Sequence, residues 1–303
     1  MAIKTVQYSL NGQTNTLEKD AATGKYKKKI TAPAKSSYSQ PNHVYAGVLK
    51  VTDQAGNVTT IDQNHAEFGA QMKLDVNEKV APVITPAKPG AGAYLTSHTV
   101  AIQFDVKDND SGVVSGSISL QIDSQAAITS GLTKTVITGG YRCTYTAQNL
   151  ADGKHTIKIN ARDNDGNTAV QKTVVFTVDT VAPELDISTP SAGLITNKES
   201  CTVAGVTSDA TSGPCAVIIK LNNVDQGAVS VSGDGSFSKV VSPFVKGENT
   251  IYIKSTDKAG KYTEITRVVT YDPDAPVVHS VQIIPNPVNA GDEFEIVVDV
   301  TDD

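Results

Sequence analysis

The feature that most constrains the fold of this chain is a pattern of strand, turn and strand that occurs three times. Its clearest copy is residues 150–178, where Ile157 and Ile159 alternate with polar residues. That period of two is typical of a β-strand with one buried face. The strand is followed by a turn rich in Asp, Asn and Gly, residue types that favour chain reversal. Related sequences begin at Tyr45 and at Val245, which predicts a repeat protein made of β-modules.

Ala-Pro linkers divide the sequence at nearly regular intervals. Their prolines are Pro82, Pro183 and Pro276, separated by 101 and 93 residues. Proline fixes its own φ and makes the preceding residue extended, which suits a short, semi-rigid connection. Twenty-six residues after each of these prolines there is an aspartate. These aspartates are Asp108, Asp209 and Asp302. Agreement of this spacing in three copies indicates that the modules share one register.

The register predicts two complete modules and two partial ones. Residues 81–180 (module 2) and 181–274 (module 3) are each long enough for a sandwich of about seven strands. Residues 1–80 (module 1) lack the first two strands, because the sequence begins at the position of Ser117–Ile122 in module 2. Residues 275–303 contain only the first two strands of a further module, which is either truncated or completed in trans. No segment shows an apolar period of 3.6, so we expect an all-β fold with almost no helix.

Composition argues against two classes of function. The net charge is −6 and no extended basic patch is present, so we expect no nucleic-acid binding, which needs clustered Lys and Arg. No stretch approaches the roughly eighteen apolar residues of a transmembrane helix, so we expect no membrane insertion. The first twenty residues lack the apolar segment of a signal peptide. If Met1 is the native start, we expect the chain to stay in the cytoplasm until it is released; a piece of a longer precursor would look the same.

Residues suited to catalysis are scattered. None of the five histidines has a second ligand at the spacing of a zinc site, and no Ser or Cys lies in a nucleophile elbow. We therefore expect that the protein is not an enzyme. Cys201 and Cys215 fall on neighbouring predicted strands and could pair, whereas Cys143 has no partner. Packing of all three as small buried side chains is the simpler interpretation.

Aspartates are the only candidate for a ligand site. Asp105, Asp108 and Asp110 lie at the end of one predicted strand and in its turn, Asp163 and Asp165 lie in another turn, and Asp179 lies in the linker. Oxygen-rich turns near module ends can bind Ca²⁺, which takes roughly six to eight oxygen ligands in irregular geometry. Calcium is thus the one cofactor that we consider. The alternative is that each Asp caps backbone N–H groups of its own turn.

The partial modules are predicted to leave apolar strands without partners. Unpaired strand edges are templates for another chain. We therefore expect the last two predicted strands to complete a module in another subunit, for example module 1 of a second copy in a head-to-tail assembly. A sequence cut inside a fourth domain is the alternative. The residues expected to contact the partner are Val281, Ile283, Phe294, Ile296, Val298 and Val300.

The best copy of the repeat carries a recognisable set of positions. They are Leu150, Asp152 and Gly153, then Asp163, Gly166 and Asn167, then Asp179, Ala182 and Pro183. With these residues the modules resemble bacterial immunoglobulin-like (Big-type) repeats. The resemblance implies tandem immunoglobulin-like β-sandwich modules joined by short Ala-Pro linkers, and it specifies fold more than activity. Module 3 departs at Lys261, where Asn is usual, and module 1 has additional residues around 63–71, which we expect to form an extra hairpin.

The opening segment has its own likeness. Residues 2–13, the stretch 20–26 and the stretch 53–62 resemble the start of immunoglobulin-like tail-associated proteins encoded in phages and prophages of Gram-positive bacteria. That resemblance implies a virion or phage-like particle component, extracellular after lysis, that serves decoration, spacing or adhesion. Its partners would be other protein subunits of the particle, and a host-surface glycan or protein. The alternatives are the stalk of a bacterial cell-surface adhesin and, less favoured because Trp is absent, a carbohydrate-binding accessory module.

Overall fold

The computed structural model describes residues 2–302, and over this range the protein is all-β, which confirms the expected class. Its helices are 3-10 turns of three residues each, at Pro41–His43, Ala70–Met72 and Ser115–Ser117. None of the helices described is long and apolar enough to cross a membrane. The chain divides into two compact units, one of Met1–Ala93 with His98–Thr177 and one of Tyr94–Ser97 with Val178–Asp303. The first unit therefore contains module 1 and most of module 2.

Module 1 is built on a single sheet. Its strands are β1 (Ile3–Leu10), β2 (Gln13–Thr16), β3 (Glu18–Lys19), β4 (Tyr26–Lys27), β5 (Tyr45–Asp53), β6 (Val58–Ile61) and β7 (Lys73–Leu74). The sheet has the order β2-β1-β5-β6, with β7 also paired to β5, while β3 and β4 form a separate two-residue ladder. Val6 and Leu10 of β1 and Tyr45 of β5 are buried.

The additional residues of module 1 do not form the expected hairpin. Residues 63–69 are turns, followed by the 3-10 helix Ala70–Met72. The backbone is held locally instead of by a strand partner, because Gly69 N–H donates to the His65 carbonyl at 2.9 Å and Phe68 N–H donates to the His65 ring at 3.2 Å. Side-chain acceptors of this kind offer the backbone an alternative to a ladder.

Module 2 is a sandwich of two sheets. Its strands are β8 (Val83–Lys88), β9 (Tyr94–Leu95), β10 (Val100–Lys107), β11 (Ser119–Ile122), β12 (Thr133–Ile137), β13 (Gly140–Ala147), β14 (Gly153–Asn160) and β15 (Lys172–Val178). One sheet has the order β12-β13-β10-β8, and the other contains β11, β14 and β15 as neighbours. The alternating residues predicted to face the core do so: Ile157 and Ile159 of β14 are fully buried, as are Phe104 and Phe176.

Module 3 repeats this arrangement. Its strands are β16 (Glu184–Thr189), β17 (Leu194–Thr196), β18 (Cys201–Ser208), β19 (Ala216–Leu221), β20 (Val224–Asp225), β21 (Ser236–Val241), β22 (Gly247–Thr256) and β23 (Tyr262–Tyr271). The two sheets have the orders β16-β18-β21 and β17-β23-β22-β19-β20. Val203, Ile219, Ile251 and Ile253 form the centre of its core. The three cysteines of the chain are unpaired, in agreement with the simpler interpretation of them as packing residues.

A two-stranded hairpin follows module 3. Its strands are β24 (Val277–Ile284) and β25 (Glu295–Thr301), which pair antiparallel with Val281 opposite Val298 and Ile283 opposite Ile296. Within residues 2–302, neither strand pairs with any third strand. We call β24 and β25 the terminal hairpin.

Candidate functional site

Three carboxylates meet at one end of module 3. Asp179 directly follows β15, Asp209 directly follows β18, and Asp257 directly follows β22. One carboxylate oxygen from each residue lies within 4.8 Å of one from each of the others. Asp179 is 0% exposed and Asp257 is 7% exposed, while Asp209 is partly buried. These residues are the module 3 cluster, and they concentrate negative charge in a place that water barely reaches.

One oxygen of each aspartate in the module 3 cluster holds its own loop. In every case Oδ1 accepts a hydrogen bond from a backbone N–H two to four residues further on. The donors are Val181 at 3.2 Å from Asp179, Thr211 and Ser212 at 2.9 and 2.6 Å from Asp209, and Lys261 at 2.9 Å from Asp257. The second oxygen behaves differently, because Oδ2 of Asp179 and Oδ2 of Asp257 are buried without any hydrogen-bond partner. Turn capping therefore explains the position of only one of the two carboxylate oxygens in Asp179 and in Asp257.

A second cluster of the same kind lies in the first unit. Glu78, Asp108 and Asp163 also bring one carboxylate oxygen each within 4.8 Å of the others. Asp108 and Asp163 are buried and Glu78 is partly buried. The Glu78 carboxylate accepts a hydrogen bond from Ser111 N–H at 2.8 Å, and the hydroxyl oxygen of the buried Ser111 has no partner. These three acidic residues are the module 2 cluster.

The two clusters occupy the same register of the repeat. Glu78 and Asp179 each lie four residues before the linker proline, Pro82 or Pro183. The second members, Asp108 and Asp209, each lie twenty-six residues after it. The third members, Asp163 and Asp257, open the turn that the sequence repeats after each alternating strand. One arrangement of acidic residues is thus built twice from different sequences.

Mutual repulsion makes both clusters costly without a counter-charge. Unit charges roughly 4 Å apart near a protein surface repel by about 4 kcal/mol. Burial raises the pKa of Glu78, and the neighbouring carboxylates of Asp108 and Asp110 raise it further. Among the described residues, no Lys or Arg forms an ion pair with any of the six acidic side chains. The protein itself therefore does not neutralise these clusters.

The structure brings together two of the five aspartates predicted as calcium ligands, Asp108 and Asp163. Asp105 lies outside the module 2 cluster, and its carboxylate is held by the guanidinium of Arg142, opposite it on β13, through two hydrogen bonds of 2.8 and 2.9 Å. That guanidinium also lowers the pKa of Asp105. Bidentate pairing with Arg142 gives this carboxylate the counter-charge that the clustered carboxylates lack.

Asp110 and Asp165 also lie outside the module 2 cluster. Asp110 Oδ1 accepts a hydrogen bond from Ser36 N–H at 3.1 Å, and Asp165 Oδ2 accepts one from Glu78 N–H at 2.8 Å. Both aspartates thus attach module 1 residues to module 2 loops. Of the module 3 cluster, only Asp179 was among the aspartates considered from the sequence, and neither Glu78 nor Asp209 nor Asp257 was predicted as a ligand. The spacing that defines the linker prolines would have found them, had it been extended to acidic residues before each proline.

The terminal hairpin exposes an apolar face. Alternation along β25 places Ile296, Val298 and Val300 on one side, across from Val281 and Ile283 of β24. All of these residues are exposed, as is Phe294 just before β25. The same position of the repeat is buried in the complete modules. Ile296 is 60% exposed, whereas Ile102 of module 2 and Val203 of module 3 are 1% and 0% exposed. The predicted contact residues therefore form one amphipathic surface.

In module 1, by contrast, a sheet is present whose core position is only partly buried. Its sheet order β2-β1-β5-β6 matches β20-β19-β22-β23 of module 3, but the other strands of module 1 outside this sheet are only β3 and β4, of two residues each. Leu49 lies four residues before the turn aspartate Asp53, as Ile159 and Ile253 lie before theirs. Ile159 and Ile253 are fully buried, whereas Leu49 is only partly buried. The sheet of module 1 is therefore incompletely covered.

Comparison with known families supports the modular interpretation. Residues 82–159 match the family model described as bacterial Ig domain, which confirms that the chain contains Big-type modules. Residues 183–273 match the family model described as glucodextranase, domain B. The chain is also similar to Bacillopeptidase F of Bacillus subtilis (strain 168), with 31% identity over 129 residues. That region is 43% of this chain and only 8% of the relative, so the chain spans less than a tenth of that protein.

Solved structures with a similar arrangement have low sequence identity. One is of the fibronectin(III)-like modules of Clostridium thermocellum CbhA, 14% identical, with a TM-score of 0.38 over 63% of this chain and 94% of that chain. Another is Rst D1-D2, 11% identical, with a TM-score of 0.41 over 64% of this chain and all of that chain. Similarities of this size carry no information on function.

Proposed function

We propose that this chain is a non-enzymatic structural and interaction protein, a string of immunoglobulin-like modules on a phage tail or phage-like particle. There it spaces or decorates the particle, or adheres to a glycan or protein of the host surface after lysis. The observation that supports an interaction role is the terminal hairpin, whose apolar residues occupy positions that modules 2 and 3 bury, so that further strands of the same or of another polypeptide must cover them. A face of this kind is stable in water only at a cost of roughly 25 cal/mol for each Å² of apolar surface left exposed.

The partner that best fits the terminal hairpin is module 1 of a second copy. In modules 2 and 3, the strands that correspond to the hairpin, β8 with β10 and β16 with β18, build the sheet that covers the other one. Module 1 has that other sheet and lacks a full cover. Addition of strands from a second chain is an established way to complete a sheet. Repeated head-to-tail contact of this kind produces rings or fibres.

The oligomeric state of the full chain tests this assembly. We expect light scattering to show a mass that rises with concentration, and expect the double variant Ile296→Lys with Val298→Lys to remain a monomer. The matched control is Val297→Lys, on the same strand but on the opposite face, which should assemble like the wild type. A strictly monomeric wild type, cleaved readily by proteases after Pro276, would contradict the proposal of assembly.

A second candidate is the stalk of a bacterial cell-surface protein. The similarity to a small part of Bacillopeptidase F favours it, because that relative is a much longer bacterial protein. Gold-labelled antibodies against the chain would distinguish the two candidates: label on purified particles supports the particle component, and label on the walls of intact cells supports the stalk. Neighbouring genes give a faster answer, since tail genes favour the first and a sortase signal on a longer reading frame favours the second.

A further inference from the structure

We propose that the module 3 cluster, Asp179 with Asp209 and Asp257, binds a calcium ion, and that the module 2 cluster binds another. This inference does not depend on the particle or stalk assignment. It rests first on two oxygen atoms. Buried polar atoms in native proteins nearly always have a hydrogen-bond partner. Oδ2 of Asp179 and Oδ2 of Asp257 have none, although both side chains are more than nine-tenths buried within one cluster.

A shared proton is a poor substitute for a cation in the module 3 cluster. A protonated carboxyl group donates one hydrogen bond, so a proton shared by two aspartates places their oxygens at hydrogen-bond distance. Three aspartates that share one proton would still carry two negative charges, and one oxygen of each lies within 4.8 Å of one oxygen of the others, close enough to share one ion. A calcium ion would offset two of the three negative charges and would take both unpartnered oxygens as ligands.

The donor set selects the type of cation. Both clusters consist of carboxylate oxygens, with neither the His nor the Cys ligands that zinc prefers. In the module 2 cluster, the buried and unpartnered hydroxyl of Ser111 is a further oxygen beside Glu78. Calcium accepts oxygen ligands in irregular geometry, whereas magnesium demands a near-ideal octahedron and keeps most of its waters. Three ligands from a linker and two separate loops therefore favour calcium.

The binding would fix the linker before module 2. Glu78 belongs to the segment that leaves module 1, whereas Asp108 and Asp163 belong to two loops of module 2. The polypeptide already makes three direct hydrogen bonds across this place, from Glu78 N–H to Asp165, from Ser111 N–H to Glu78 and from Asn167 to the Glu78 carbonyl. An ion held by Glu78, Asp108 and Asp163 adds charge-based links to the same three segments.

The test is the calcium content and stability of the full chain after treatment with EDTA. We expect isothermal titration with CaCl₂ to give about two sites per chain, and expect calcium to raise the unfolding temperature. Asp257→Asn and Asp108→Asn should each remove one site, and the double variant should remove both. Asparagine keeps the oxygen that caps the turn, so these variants should fold, and their circular dichroism spectra should match the wild type. The control is Asp105→Asn, which should keep both sites.

Specific outcomes would overturn the proposal. Titration without measurable heat and without a change in unfolding temperature at millimolar CaCl₂ would do so. Equal loss of binding in Asp105→Asn and Asp257→Asn would show that any calcium uptake is diffuse charge neutralisation by an acidic protein. Binding of MgCl₂ with the same affinity as CaCl₂ would contradict the selection of calcium.

Discussion

The carboxylates of Asp179 and Asp257 approach within 4.8 Å of each other, and each keeps one buried oxygen without a hydrogen-bond partner. Their other oxygens cap turns, which is the role that the composition of the turns suggests. Capping therefore does not exclude the proposed ion binding, because capping uses one oxygen of each carboxylate and leaves the other without a partner. Removal of one negative charge should therefore raise the stability of module 3 when calcium is absent, and should lower it when calcium is present.

Asp179→Asn should show this opposition. In EDTA, the variant removes one of three mutually repelling charges, so we expect the free energy of unfolding to rise by about 1 kcal/mol or more. In calcium, the same variant loses a ligand, so we expect it to unfold at a lower temperature than the wild type. Urea unfolding followed by circular dichroism, with and without calcium, measures both effects. Destabilisation of equal size in the two buffers would assign Asp179 a purely structural role.

His155 should make module 2 more stable at mildly acidic pH. Its ring nitrogens lie 2.8 Å from the Asp123 carboxylate and 2.8 Å from the Ala151 carbonyl, both of which are acceptors, so only the protonated ring satisfies both. Burial lowers the pKa of His155, but the hydrogen bonds to Ala151 and Asp123 raise it by more, so the pKa is raised overall.

The raised pKa of His155 fixes the sign of the pH dependence. The stabilisation is fully present below the unfolded pKa of about 6.5 and is lost as pH rises through the folded pKa. We expect the unfolding temperature of the full chain to fall from pH 6 to pH 8.5, and expect this fall to be smaller in His155→Gln. The exposed His279 provides a control, since His279→Gln should leave the slope unchanged. An unchanged slope in His155→Gln would contradict the assignment.

Ile253 of module 3 and Leu49 of module 1 occupy the same position of the repeat, and truncating each side chain tests how well the core of module 1 is buried. Ile253→Ala removes a fully buried side chain from module 3 and should cost about 2–5 kcal/mol of unfolding free energy. Leu49→Ala removes a partly buried side chain and should cost about 1 kcal/mol in the isolated chain. If the terminal hairpin of a second copy covers Leu49, the variant should also shift the monomer–oligomer equilibrium towards monomer in light scattering. Equal costs for the two variants would show that module 1 is as closed as module 3.

The thiol of Cys143 should be unreactive in the folded protein. It is fully buried, and burial raises its pKa to about 11. The thiolate is the reactive form, so alkylation at pH 8 should be very slow. Mass spectrometry after a short iodoacetamide pulse should find Cys143 unmodified in native buffer and modified in guanidinium chloride. Rapid native modification would mean that β13 opens locally.

The alternation of apolar with polar residues and the spacing of the linker prolines predicted the strands well, because both depend on local chemistry. Residues 101–107 alternate, and β10 covers them. The ligand prediction was less successful, since it grouped aspartates that are close in sequence. Asp105 points to Arg142 on the neighbouring strand, which is thirty-seven residues away, and the true neighbours of Asp108 are Glu78 and Asp163. Distances across loops depend on how strands are ordered in the two sheets, which the composition of a turn does not encode.

Acidic residues at the same distances from Pro276 connect the proposed calcium binding with the proposed head-to-tail assembly. Asp272 lies four residues before Pro276 and Asp302 twenty-six after it, so they hold the first two positions of a further set, whose third position in module 1 is Asp53. Docking of the terminal hairpin on module 1 of another copy would bring acidic residues of two polypeptides to a single ion. Subunit contact in such an assembly would then depend on calcium as well as on apolar burial, and EDTA would separate the subunits.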